Sequence, residues 1–438
     1  MSAPLFALVD GNNFYVSCER VFRHSLRSSP CVVLSNNDGC AIARSNEAKD
    51  LGIKMGAPWF QIKHLAESAG LVALSANFEL YGEISSRMMS LAAALGHRQE
   101  IYSIDESFVD VSGISGDITK RAHAIRARVH QWVGIPTCVG IAPSKTLAKL
   151  ANHIAKQAER KPGSYPAELA QVADLSRLPS SQLDALLAST DVGEVWGVGR
   201  RIAAQLKEQG VNTVLDLKRM SPAAARTGWS VIFERTVREL QGESCIDIED
   251  VAPDKQEIAC TRSFGAPVRD LVELQEAVTD FASRAAVKLR GQDSAAGQVL
   301  VFLRTSPFRQ TPQYSNSVTV PLRTPSADTT AIVGAVLLGL RAIYRPGFDY
   351  AKAGVMLLDL APASRVQFEL DLEDDDQAPA ARPRLMDALD KVNDRYGRGT
   401  LQLGTANLGA KPRNWMMKQE RRTPAYTTRW EDMPVVRA

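Results

Sequence analysis

Two places in this 438-residue chain could do metal chemistry: Asp10, and the adjacent pair Asp105 and Glu106. Each lies where a short apolar run ends, in the patterns LFALVDGNNFY and IYSIDESFVDV, so two strand ends in one sheet would bring the acids together. Carboxylates converging there could hold two divalent cations ~3.5–4 Å apart, activating an attacking oxygen and stabilising a leaving one in phosphoryl or nucleotidyl transfer. Hard oxygen ligands suit Mg²⁺. A lone strand-end acid is ordinarily a solvated turn residue, so the neighbours matter. Phe14 and Tyr15 form an aromatic pair just after Asp10; Ala41 to Pro58 carries cations at helical spacing; Cys138 to Ala151 adds Lys145 and Lys149.

The elements that must position these residues are legible in outline. Leu5 to Val9 reads as a buried strand ending at Asp10. Cys31–Ser35 and Cys40–Ala43 flank an Asp38-Gly39 turn signal, and Ile101–Ser103 with Ser107–Val111 suggests a second hairpin. Thr137–Ile141 is a further strand. Ser144 then caps a helix through about Lys156, with Leu147, Ala148, Leu150, Ala151 and Ile154 on its apolar face. Lys145, Lys149 and Lys156 are expected near one another on the opposite side. Strands interleaved with helices to about residue 168 read as one α+β domain.

Residues 172–245 read as wholly helical, marked by Glu194 to Arg201. Two helices joined by Gly197-x-Gly199 would aim backbone N–H groups at a phosphate oxygen, or simply turn between packed helices. From about Gln256 to Leu360 the order is β-α-β-β-α-β, with Arg262, Arg304 and Lys352 on or beside the strands.

Composition narrows the class. The 45% hydrophobic and 23% charged content is that of a globular protein with several cores, and a net charge of +3 says little about partners. The longest apolar run, Ala331 to Leu340, is far short of the ~20 residues that span a bilayer, so no membrane role is expected. Asp10 interrupts any signal-peptide core. The six cysteines show no CxxC spacing, which points away from structural zinc and disulfides and toward a reducing cytoplasm. Residues 366–376 carry six acids and no bases, as solvated tails that bind something often do. Within them, Gln367 followed by Leu370 and Leu372 is similar to the hexapeptide form of a sliding-clamp-binding motif; a plain linker is the competing reading.

The motifs SIDES (103–107), SNNDGCAIARSNEAKDLGIKMGAPWF (35–60), GIAPSKTLAKLANHIAK (140–156), WGVGRR (196–201), ERTVRELQGE (234–243) and YTTRW (426–430) resemble those of the Y-family translesion DNA polymerases, specifically the UmuC-type branch found in bacterial DNA polymerase V. The resemblance extends across almost the whole chain. It implies an α+β, right-hand-like polymerase: palm and fingers over 1–171 (fingers about 26–75), a helical thumb with a helix-hairpin-helix over 172–250, a βαββαβ little finger over 253–360, and a C-terminal tail over 361–438.

By the same resemblance, Asp10, Asp105 and Glu106 are the catalytic carboxylates that hold two Mg²⁺ ions, with the Gly11 carbonyl as a further ligand. Tyr15 is the steric gate against a 2′-hydroxyl. Phe14, Arg44, Asn46, Lys49 and Lys156 are the nucleotide-binding candidates; Asn46 and Lys49 stand where other branches carry Tyr and Arg, and a lysine lacks the guanidinium fork. Extra sequence after Lys156 loosens that assignment. Gly197, Gly199, Arg200, Arg201, Arg262, Arg304 and Lys352 are the DNA-binding candidates. Implied partners are primer-template DNA, deoxynucleotides, the sliding clamp, a UmuD′ dimer and the RecA filament, in a cytoplasmic, nucleoid-associated SOS response to DNA damage. Two other function classes stay open: nucleotide cyclisation on a palm-like fold, which has no use for a thumb hairpin, and a DNA-bound scaffold that merely retains the acids.

Overall fold

The computed structural model describes residues 3–251, 253–365, 381–397, 399–404 and 414–435. The chain divides into two compact units, Met1–Ala252 with Arg421–Ala438, and Pro253–Glu420. The first carries β1 (Phe6–Gly11), β2 (Cys31–Leu34), β3 (Ala41–Arg44), β4 (Val72–Ser75), β5 (Arg98–Ile101), β6 (Glu106–Asp110), β7 (Thr137–Ala142) and β8 (Val172–Asp174). Five of these form a sheet in the order β5-β6-β1-β7-β8, and β3-β2-β4 form a smaller one.

β1 lies between two antiparallel neighbours, β6 and β7. Its alternation serves two cores. Ala7 and Val9 face the helices Phe14–Phe22, Phe78–Ala92 and Ile118–Val133, while Phe6 and Leu8 face the Lys145–Arg160 helix. A strand covered on both faces has no polar side to show, which is why its sequence is apolar until Asp10.

The Lys145–Arg160 helix starts as its sequence demands, the Ser144 hydroxyl accepting from the Leu147 N–H. Gly140 lets it approach β7: a Cβ there would run into the main chain of Ala148 and Asn152. That close seating brings the helix's lysines to the ends of β1 and β6. Lys145 departs from expectation. It is 2% exposed rather than on a solvated face, its Nζ 2.6 Å from Glu100 and 3.1 Å from the Asp247 carbonyl, because β5 and the chain after residue 245 cover that end of the helix.

Val172–Asp174 also differs from the wholly helical segment expected there. It is the edge strand β8, parallel to β7. Beyond it the segment is helical, including Ser180–Ser189, Arg200–Glu208 and Val231–Leu240. Only a single 3₁₀ turn, Val192–Glu194, leads into the Gly197 and Gly199 hairpin.

The second unit has the expected β-α-β-β-α-β order. Strands β9 (Ile258–Val268), β10 (Ser294–Thr305), β11 (Ser315–Ser326) and β12 (Tyr350–Pro362) form an antiparallel sheet ordered β11-β10-β12-β9. Helices Leu271–Arg290 and Thr329–Ile343 bury their apolar faces against it. The residues expected as one tail part company. Helix Ala381–Tyr396 stays with this unit, Met386 buried and Asp390 accepting two 2.7 Å hydrogen bonds from Arg290, whereas residues from Arg421 onward join the first unit. Gln367, Leu370 and Leu372 lie outside the described residues.

Candidate active site

Antiparallel pairing of β1 with β6 sets Asp10 directly opposite Glu106. Asp105 is the last residue of the bend before β6, where its carbonyl accepts the Gly11 N–H at 2.8 Å and its carboxylate accepts the Ser103 hydroxyl at 2.6 Å. Gly11 is needed at this approach, since a Cβ would come within 2.9 Å of the Phe14 ring.

Two lysines of one helix face reach these acids. Lys156 Nζ is 2.5 Å from Asp10, and Lys149 Nζ is 2.6 Å from Glu106. Residues 149 and 156 are seven apart, two helical turns, so one face supplies both cations. Burial pushes the Asp10 carboxyl up to about 8, aided by the neighbouring Glu106 and opposed by Lys156. Burial also acts on Glu106, but the hydrogen bond from Asp10 and the Lys149 ammonium outweigh it and hold Glu106 below the usual range. The two carboxyls are thus shifted in opposite directions at the floor of the site.

Above it lies a cleft of about 290 Å³ lined by Asp10, Gly11, Tyr15, Arg44, Lys49 and Lys156, among others. The cations on its wall crowd one another. Lys49 is depressed to about 8, first by burial and then by Arg160, Arg44 and Lys156. Burial and Arg160 likewise lower Arg44, whose guanidinium donates to the Ile53 carbonyl at 2.6 Å. Such mutual repulsion is relieved by a polyanion. Asn13, in a left-handed conformation at φ 50°, ties the wall to the floor: its side chain accepts from Lys49 at 2.5 Å and donates to Asn46 at 3.0 Å. Tyr15 projects at the cleft with its ring stacked on Tyr81, 4.6 Å between centroids and 16° apart. Phe14 touches the same cleft but is a core residue, 3% exposed.

The donor set offers hard oxygens: the three carboxylates and the Gly11 carbonyl. Among the described residues no three His, Cys, Asp or Glu side chains already converge as a metal cluster. Lys156 and Lys149 supply the positive charge to Asp10 and Glu106 instead, and hard carboxylate oxygens that already attract two cations are a donor set a divalent cation would fit.

Comparison with known proteins bears on what this cleft serves. Residues 9–153 match the impB/mucB/samB family, residues 255–370 match that family's C-terminal domain, and residues 383–436 match a domain of unknown function (DUF4113). Protein UmuC of Salmonella typhimurium is 45% identical over 432 residues, covering 98% of this chain and 99% of that protein. The chain belongs to the impB/mucB/samB family. Protein ImpB of Salmonella typhimurium is 43% identical over 99% of this chain and 100% of its own, and DNA polymerase IV of Alkalilimnicola ehrlichii is 28% identical over 71% and 84%. A Y-family DNA polymerase chimera of Dbh and Dpo4 superposes with a TM-score of 0.60 at 18% identity, covering 81% of this chain and 98% of its own; the insertion ternary complex of Dbh DNA polymerase gives 0.53 at 19%, with the same coverage. This impB/mucB/samB member thus has the fold of the Y-family DNA polymerases, as its motifs suggested.

The remaining candidates of this impB/mucB/samB chain fall into two groups. Gly197 turns at φ 88°, and Gly199 caps the Arg200–Glu208 helix, leaving Arg200 and Arg201 exposed at its start. In the second unit Arg304 pairs in register with Lys352 on the sheet face away from the helices. Arg262 does not join them. It points to the helix-covered face, 5.5 Å and 5.7 Å from the ring centroids of Phe281 and Trp415. Lys149, Asn13 and Arg160 were not among the expected site residues. The 149/156 spacing was the available signal for the first; nothing local marks the other two. Lys149 is further held 4.6 Å from the Tyr102 ring and 5.6 Å from that of Trp196, so the WGVG motif also supports Glu106.

Proposed function

We propose that this chain carries out template-directed, error-prone DNA synthesis past damaged bases, by two-metal nucleotidyl transfer. The observation that carries the reading is Asp10 opposite Glu106, beside Asp105, under a cleft walled with cations. Asp10, Asp105, Glu106 and the Gly11 carbonyl would hold two Mg²⁺ ions, which would stabilise charge on the attacking and leaving oxygens. The primer 3′-oxygen attacks the α-phosphorus of the incoming nucleotide and pyrophosphate leaves. Lys156 and Lys49 turn from their resting partners to the triphosphate, joined by Arg44 and Asn46. Tyr15 stands against the sugar, with Phe14 as its support from the core.

In this reading residues 1–171 with β8 are palm and fingers, the rest to 250 is the thumb, 253–360 is the little finger and 361–438 the tail. Gly197, Gly199, Arg200 and Arg201, together with Arg304 and Lys352, grip DNA phosphates without reading sequence. Kinship with UmuC supports an SOS role in the cytoplasm at the nucleoid, with a UmuD′ dimer and the RecA filament as partners. Among the described residues no helix is long and apolar enough to cross a membrane.

Primer extension on undamaged and abasic templates, with and without Mg²⁺, tests the reading. Extension only with Mg²⁺ is expected. DNA binding without extension would favour the scaffold, and a cyclic nucleotide product the cyclase. Gln367, Leu370 and Leu372 are assigned to the sliding clamp on their sequence pattern. Replacing all three by Ala should leave synthesis on a short primer intact and remove stimulation by a loaded clamp, because a tether raises local concentration and adds no chemistry. Undiminished stimulation of the triple variant returns the segment to a linker.

A further inference from the structure

Residues from Arg421 to Tyr426 pack within the first unit, and several of their partners lie some 350–400 residues earlier in the sequence. Arg421 and Ser75 exchange hydrogen bonds, the Arg421 N–H donating to the Ser75 hydroxyl at 2.9 Å and the Ser75 N–H to the Arg421 carbonyl at 3.1 Å. The Asn77 amide donates to the carbonyls of Thr423 and Pro424 and to the Thr423 hydroxyl, at 3.2–3.3 Å. At the far end Tyr426 stacks on Phe22, 4.7 Å between centroids and 8° apart. The centre of this contact is Glu19, a fully buried carboxylate that the proposed chemistry does not use.

One oxygen of Glu19 accepts both the Thr423 hydroxyl, at 3.1 Å, and the Tyr81 hydroxyl, at 2.7 Å. Tyr81 is itself fully buried, and its ring is the one on which Tyr15 stacks. Glu19 lies one turn beyond Tyr15 on the same helix, Phe14–Phe22, whereas Tyr81 is on Phe78–Ala92, which Asn77 precedes. Thr423 therefore bridges the two helices whose aromatic rings meet at the cleft.

We propose that this C-terminal segment is a positioning strap for Tyr15, and that Thr423, Glu19 and Tyr81 set how strictly the site rejects ribonucleotides. The inference rests on the reading of Tyr15 as the sugar gate. A ring that discriminates by a single oxygen must be held to a fraction of an ångström. Its stacking partner is fixed by a hydrogen bond to a carboxylate, and that carboxylate is fixed in turn by Thr423. Glu19 is fully buried, so a lost donor is not replaced by bulk solvent and the pair must shift.

The test compares kcat/KM for a deoxyribonucleotide with that for its ribonucleotide, opposite one template base, using the full chain. Thr423→Val and Tyr81→Phe should each lower discrimination by about tenfold, short of the roughly hundredfold that a 1 Å misplacement can bring. Thr423→Val should keep deoxyribonucleotide kcat/KM within about twofold of the unaltered chain, by the same argument that the reacting groups are untouched. Thr423→Ser, which retains the hydroxyl, should restore discrimination, and Thr423→Val should add nothing once Tyr15→Ala is present. Unchanged discrimination in both variants, with Tyr15→Ala relaxing it, overturns the strap. An equal fall for both sugars also overturns it, since that is loss of fold support alone. If Tyr15→Ala discriminates as well as the unaltered chain, the gate reading itself falls and takes the strap with it.

Discussion

Asp10→Asn is expected to lower the rate of nucleotide incorporation by roughly 10³-fold or more while changing DNA affinity little, the scale seen when one preorganised group that stabilises transition-state charge is removed. Asp10 is buried, sits opposite Glu106 and holds Lys156 at 2.5 Å. The amide keeps the shape of the side chain but cannot bring negative charge to a cation, so the effect falls on metal-dependent chemistry. The proposed DNA-gripping residues are others, at the Gly197 and Gly199 hairpin and on the sheet face carrying Arg304 and Lys352. Single-turnover primer extension and a gel-shift on the same preparation separate the two. Asp105→Asn should behave alike, because its carboxylate is presented from the bend that Gly11 clasps. Substantial residual synthesis in Asp10→Asn would remove that residue from the catalytic set.

What was legible in the sequence is what local chemistry writes down. The apolar run ending at Asp10 marked β1 and the bend at Asp105 marked the start of β6, and antiparallel pairing sets the end of one against the start of the other. The Ser144 cap and the spacing of lysines 149 and 156 marked the helix that serves them. The βαββαβ order of the second unit followed from alternating periods. The failures share a physical cause. β8 is three residues long and pairs in parallel, after a long crossover, with no hairpin signal to announce it. Lys145 reads as solvated on its helix; Glu100, the Phe108 ring and the carbonyl of Asp247, about a hundred residues further on, cover it. Which face of β9 carries Arg262 toward the helices is likewise set by distant residues, Phe281 and Trp415. The strap at 421–426 is polar and irregular, and its partners are some 350–400 residues away. Long-range polar pairing leaves no period to read.

Tyr15→Ala is expected to admit ribonucleotides, narrowing the preference for deoxyribonucleotides by roughly 10²-fold or more, because steric exclusion by one ring carries discrimination that binding elsewhere does not repeat. Tyr15 stands five residues after Asp10, on the first turn of the helix that follows β1, and its ring lines the cleft beside Asp105. It is not free to swing aside. Tyr81 stacks on one face at 4.6 Å, and Phe78 meets it edge-on at 5.9 Å. Both partners belong to the Phe78–Ala92 helix, packed on the same core as β1, so the ring's position is referenced to the strand that carries Asp10. Removing the ring opens space where a 2′-hydroxyl would sit and leaves the carboxylates and the cation-lined wall untouched. Deoxyribonucleotide kcat should therefore change far less than the ratio. The ratio of ribo- to deoxyribonucleotide kcat/KM opposite one template base decides it, and an unchanged ratio would return Tyr15 to a purely structural aromatic of the core.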